Sequence, residues 1–152
     1  MNNIFKLTDR IKAELEANQL INQVTFGDLF EVDLLKQNIF PLAHVGMTQA
    51  QLGKGFAQVS MSILFLDIVD ESKREQTDQF YGNDNEAFVI NSMFSAATKT
   101  INELMRGDAY ADGFQIEDDT IAVEFFSERF EDKLAGCGVD FVVTINNTLD
   151  LC

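Results

Sequence analysis

The chain has 152 residues, 46% of them hydrophobic and fourteen of them Phe, which is ample for one domain spanning 1–152 and argues against global disorder. Twenty-five acidic side chains against eleven basic ones leave a formal net charge of -14, so nucleic-acid phosphate should repel the chain unless its charges are strongly segregated. Two cysteines, Cys137 and Cys152, make no disulfide framework, the first ten residues lack a secretion signal, and no run approaches the ~20 apolar residues of a membrane span; the expectation is folding in a reducing cytoplasm.

Residues 4 to 17 read as a helix, with Ile4, Leu7, Ile11 and Leu15 on one stripe and Lys12, Glu14 and Glu16 toward solvent. Asn2 or Asn3 is placed to cap its start. A short strand is predicted from Ile21 to Phe26 and ends at Gly27-Asp28. Residues 28 to 39 hold no period long enough to assign.

Phe40 to Asp70 is the longest patterned stretch. Two runs of period-two alternation flank Gly53-Lys54-Gly55, which is a hairpin signal. In the first arm Ala43, Val45 and Met47 share a face, with His44, Thr48 and Ala50 opposite. In the second, Ala57, Val59, Met61, Ile63 and Phe65 line one face and Gln58, Ser60 and Ser62 the other. Beyond Ile63 both faces turn apolar, so Leu64 and Leu66 should also be covered. Arms of this length reach roughly 35–45 Å at ~3.3 Å per residue, so the ribbon spans the domain or projects beyond it. A projecting ribbon needs a partner.

Residues 70 to 85 are polar and read as a surface loop. A second helix is predicted from a capping box at Asn83 and Glu86 to Gly107, with a core stripe of Ile90, Met93, Phe94, Ala97, Ile101, Leu104 and Met105. An Asp- and Gly-rich loop covers 107 to 119, and Ile121 to Phe126 alternates as a strand. Residues 127 to 133 are charged, with Phe130 the lone apolar anchor. The last strand places Cys137, Val139, Phe141, Val143 and Ile145 on one face. The predicted order α-β-β-β-α-β-β packs most economically as an α+β fold: a mainly antiparallel sheet with a long β-hairpin and both helices on one face.

Catalytic constellations are sparse. The single histidine, His44, sits mid-strand on the polar face and reads as a surface or interface side chain. A Ser-His-Asp or Cys-His pair would have to use it, and neither cysteine has a nucleophile context; Cys137 alternates with core residues and reads as a small buried apolar group. Carboxylates abound at Asp67, Asp70, Asp108, Asp112 and Glu117-Asp118-Asp119, but without EF-hand ligand spacing they read as solvated loop charge. Gly53-Lys54-Gly55 is too short to cradle a phosphate and has no helix after it. The reading is a non-enzymatic protein with no cofactor and no metal.

The acidity is concentrated. Residues 67–86 carry seven acids and two bases, and 103–132 carry ten acids and two bases, giving -5 and -8 of the total -14. Generic solubility explains this in a monomer. If copies form a ring, these loops can line the bore with a wall that repels a passing polyanion.

Four stretches resemble a family. They are Ile39-Phe40-Pro41-Leu42-Ala43-His44-Val45, Leu64-Phe65-Leu66-Asp67-Ile68-Val69-Asp70, Leu134-Ala135-Gly136-Cys137 and the closing Asn146-Asn147 to Leu151-Cys152. In the same order they resemble the neck or tail-terminator proteins of tailed bacteriophages, nearest to those of phages infecting Bacteroidetes, including the crAss-like group. The resemblance runs from Phe26 to Cys152, and Cys137 stands where the family more usually has Trp. It implies an α+β subunit assembling into a six- or twelvefold homo-oligomeric ring at the head-tail junction or on the tail. Its partners would be other neck, portal-adaptor or tail proteins of the virion, with DNA passing through an acidic channel without being bound, and no membrane. Assembly would take place in the cytoplasm of the bacterial host.

Under this reading Leu52, Gly53, Lys54, Gly55 and Phe56 at the hairpin end are the candidate oligomer contact, and Glu117, Asp118, Asp119, Asp70 and Glu71 the candidate channel-lining acids. The competing reading is a small acidic binding or chaperone-like domain acting as a monomer or dimer. A metal-dependent hydrolase using the acidic loops is a third.

Overall fold

The computed structural model describes residues 3–27, 40–68, 86–106, 114–116, 120–129 and 134–146. In chain order its elements are α1 (Asn3–Ala17), β1 (Gln23–Phe26), β2 (Leu42–Gly53), β3 (Phe56–Ile68), α2 (Glu86–Arg106), β4 (Phe114–Ile116), β5 (Val123–Arg129) and β6 (Leu134–Asn146). The strands form one six-stranded sheet in the order β1-β2-β3-β6-β4, with β5 also on the outer side of β6. All pairings are antiparallel except β1 with β2, so the class is α+β with a mainly antiparallel sheet.

The centre of the sheet is β3. Its 13 residues pair with β2 on one side from Phe56↔Gly53 to Leu66↔Leu42, and with β6 on the other from Phe56↔Asn146 to Ile68↔Leu134. The long hairpin is therefore not a free two-stranded ribbon. A third strand of equal length backs it, and the sequence could not show this because β6 follows β3 by more than sixty residues.

Alternation along these strands sends Ala57, Val59, Met61, Ile63 and Phe65 of β3, and Cys137, Val139, Phe141, Val143 and Ile145 of β6, to the same face. Both helices cover that face. From α1 come Leu7, Ile11 and Leu15; from α2 come Val89, Met93, Ala96, Ala97 and Leu104. Burying each large apolar side chain contributes about 1.5–3 kcal/mol. Arg10 and Glu14, 3.0 Å apart at i,i+4, flank the α1 stripe.

The helices are tied by Asn18, a buried polar residue just past α1. Its amide donates to the Ala96 carbonyl at 3.0 Å and to Thr100 Oγ1 at 3.2 Å, while its Oδ1 accepts from the Leu20 N–H at 3.0 Å. The opposite face has a smaller core of Leu42, Leu66, Phe126 and Leu134, with Phe40 and Leu64 packed beside it. This is the cover expected for Leu64 and Leu66.

Several sequence expectations shift. The axis of α2 is turned so that Val89, Ala96 and Thr100 lie inside, whereas Phe94 and Met105 lie at the flank with Phe94 41% exposed. Phe94 instead meets Phe125 of β5 at a centroid separation of 5.6 Å. The stretch 107–119 read as loop contains β4, which adds to β6 at Val143–Ile145. The strand predicted at Ile21–Phe26 is shorter, that at Ile121–Phe126 is shifted to Val123–Arg129, and the last strand begins earlier, at Leu134. The loop at 70–85, the capping residue Asn83 and Phe130 lie outside the described residues.

Two substitutions test this packing. Phe141→Ala empties a site 3% exposed and should cost about 3–5 kcal/mol, whereas Phe94→Ala should cost about 1 kcal/mol or less. Denaturant melts of the two variants check it, and equal losses would refute the orientation of α2. Gly136 has φ +155, and a Cβ there would run into the Phe65 carbonyl oxygen. Gly136→Ala should therefore destabilise more than Phe94→Ala, although it adds only a methyl group.

Candidate oligomer interface

The hairpin end is built on a two-residue turn. Gly53 and Phe56 are the last cross-strand pair, Lys54-Gly55 closes it, and Gly55 takes the left-handed φ of +79 that the turn requires. The Phe56 ring lies over Gly53, where any Cβ would collide with it. Leu52 is 80% exposed, and Lys54 and Phe56 are also exposed. The five candidate contact residues are thus contiguous at one corner of the sheet.

A β-bulge between Met47 and Gln49 changes what this corner presents. Before it, Met47 pairs with Met61; after it, Ala50 pairs with Val59 and Leu52 with Ala57. One extra residue inverts the alternation, so Ala50 lies on the helix-bearing side with Met47 rather than opposite it. Val59 and Ala57 are buried there, yet Met47, Ala50 and Leu52 are exposed. The distal half of β2 consequently carries an uncovered apolar stripe. Beside it an open groove of about 390 Å³ runs between α1 and the β1–β2 edge, with Phe5, Lys12, Phe26 and Met47 among its walls.

His44 is not a surface side chain. It is 4% exposed, directly opposite Thr25 in the parallel β1–β2 pair. Its Nε2 lies 3.0 Å from the Gly27 carbonyl, which can only accept, so Nε2 carries a proton. Nδ1 lies 2.8 Å from Thr25 Oγ1, and in the neutral ring it accepts from that hydroxyl. The ring fastens β1 and the turn after it onto β2, a structural role. The sequence signal that could have found it is the Thr at the matching place in a short strand, which is uninformative until the pairing is known.

Cys137 is buried, and desolvation pushes its thiol up to about 12, which suits an inert core group rather than a nucleophile. Asp67 is raised above its ordinary value by burial, partly offset by the hydrogen bond its carboxylate accepts from the Ile68 N–H at 2.8 Å. Asp70 lies outside the described residues. Among the described residues no group of three or more His, Cys, Asp or Glu could hold a metal ion, and no helix is long and apolar enough to cross a membrane.

These assignments carry direct tests. His44→Leu leaves the Thr25 hydroxyl and the Gly27 carbonyl short of a partner and should cost about 1–3 kcal/mol in a denaturant melt. Cys137 should resist thiol reagents until the chain unfolds, and a reducing agent should leave the melting temperature unchanged. Because the folded thiol titrates above the unfolded one, its contribution to stability is complete below about pH 9 and falls as pH rises toward 12. Cys137→Ala should flatten that alkaline loss, and an unchanged profile would refute the assignment.

The five candidate channel acids, Asp70, Glu71, Glu117, Asp118 and Asp119, all lie outside the described residues, as does Cys152. The structure brings together the hairpin-end candidates alone. Comparison of the sequence with models of known families and with curated proteins finds no match in either.

Proposed function

We propose that this protein is a structural subunit of a bacteriophage virion, assembling as a ring at the head-tail junction or tail and acting as a neck or tail-terminator protein. The observation that carries the reading is the exposed distal half of β2. There Met47, Ala50 and Leu52 stay uncovered beside a strand whose own side chains are buried. A monomer has no use for that stripe, whereas a subunit that must join its neighbours does. The residues that resemble the phage family support the same reading, and several of them have defined structural parts. Leu42, Leu66 and Leu134 form the second core, and Gly136 gives way to the Phe65 carbonyl.

Charge supports the channel. Residues 42 to 66 contain no acid and one formal charge, Lys54, in a chain of net -14. The acids therefore gather in the segments 67–86 and 103–132, outside the neutral stretch that carries the exposed half of β2. A ring repeats that acidity around its circumference, and a DNA strand passing through is repelled over a Debye length of roughly 8 Å at physiological salt. The subunit's work is mechanical: it joins neighbours and leaves an open, non-adhesive path.

Native mass spectrometry with electron-microscopic class averages tests the assembly. The expected result is a closed six- or twelvefold ring that does not retain DNA at physiological salt. A monomer at every concentration, or tight DNA binding, would overturn the reading. Changing Glu117, Asp118 and Asp119 to Lys moves each subunit by six charges, from -14 to -8. Particles carrying that triple variant should stay intact and eject DNA more slowly, with high salt partly restoring the rate.

A further inference from the structure

We infer that the lateral joint between copies is a strand addition, in which β5 of one copy pairs with the free edge of β2 in the next. This inference rests on the ring reading above and names the surface that would build it.

The first observation is an edge. β1 pairs with β2 only over Leu42–Val45, and from Gly46 to Gly53 the outer side of β2 meets no strand among the described residues. Such an edge presents a row of backbone donors and acceptors, and soluble proteins commonly blunt it with charged side chains. Here the run Gly46–Gly53 has no charged residue. On the opposite margin of the sheet, β5 pairs with β6 and with no other strand among the described residues.

The second observation is that the two margins match. Seven residues of β5 span ~23 Å and the eight residues Gly46–Gly53 ~26 Å. In strand direction β5 runs antiparallel to β6, β6 antiparallel to β3 and β3 antiparallel to β2. A neighbour in the same orientation therefore offers β5 antiparallel to β2. On the helix-bearing side, exposed Phe125 would meet the stripe of Met47, Ala50 and Leu52. On the other side, Glu124 would meet the exposed amides of Gln49 and Gln51, so a carboxylate faces donors rather than another acid.

Charge selects this arrangement over its alternatives. Pairing β5 with β5 of another copy in full antiparallel overlap would set the acidic positions Glu124 and Glu128 opposite each other, a like-charge register. Pairing β2 with β2 uses one margin and stops at two copies, whereas joining different margins repeats until it closes. Because β5 sits beside the Leu134 end of β6 and the free run of β2 lies toward the turn, neighbours are staggered along the strands. A tilted sheet takes up such a stagger when it closes.

The experiment blocks one margin at a time in the full chain and reads mass by native mass spectrometry. Ala50→Glu, with Leu52→Glu as a second choice, places a charge on the β2 margin; Phe125→Glu does so on the β5 margin. All three residues are exposed, and thermal melts should show that each variant folds as the wild type does. Each variant alone should be monomeric. An equimolar mixture of Ala50→Glu and Phe125→Glu should form a one-to-one heterodimer, because one intact β2 margin and one intact β5 margin remain.

If the wild type forms a ring and the variants do so too, the joint lies elsewhere and the ring reading survives. If Ala50→Glu and Leu52→Glu dissociate while Phe125→Glu does not, the β5 assignment is overturned. If both variants are monomeric but the mixture gives no heterodimer, the heterologous pairing is overturned. A monomeric wild type sinks this inference together with the reading it rests on.

Discussion

Everything in this fold depends on β3 being paired along its full length on both sides. Its backbone groups are satisfied by β2 and β6, and its side chains sort into a helix-covered face and an opposite face that is polar at Gln58, Ser60 and Ser62 and apolar at Leu64 and Leu66. Two helices can then be held by one continuous apolar surface. The Asn18 bridge from the end of α1 to Ala96 and Thr100 keeps them in register over it. With β3 shifted by one residue, Ala57 through Phe65 would face away from both helices and the core would not exist.

The same arrangement explains where the sheet is incomplete. Three strands of 12 or 13 residues need flanking strands of comparable length to close both margins, and those among the described residues are short: four residues in β1, three in β4 and seven in β5. β1 is held firmly for its size, through His44 to Thr25 and Gly27 and through the Pro41 carbonyl, which accepts from Asn22 N–H at 2.8 Å. It nevertheless leaves most of the outer side of β2 without a strand among the described residues. The bulge at this open stretch turns Ala50 and Leu52 toward the helix-bearing side, just where the helices no longer cover it. A short strand and a bulge together create the exposed corner on which the proposed assembly rests.

His44 and Cys137 both lie inside the fold. The histidine is consumed by two hydrogen bonds within a strand pair, and the buried cysteine thiol is held protonated by its apolar surroundings. Acidity is separated from the neutral hairpin along the sequence itself. A chain at -14 can associate with copies of itself only where repulsion is low, and the neutral stretch from 42 to 66 is such a place.

Period-two and helical patterning determined much of this protein by themselves. They identified both helices, the hairpin with its Gly53-to-Phe56 end, the burial of Phe141 and Cys137, and the α+β class, because each depends on spacing within a few residues. The tertiary structure alone decided three things. It backed the hairpin with β6, since strand pairing across more than sixty residues leaves no local mark. It inverted Ala50 and Leu52 through the bulge, because one unpaired residue changes the phase of alternation without changing composition. It buried His44 and exposed Phe94, since a side chain's surroundings are set by what packs against its element: Thr25 and Gly27 close over the one, and the turn of α2 toward Val89, Ala96 and Thr100 swings the other out to Phe125.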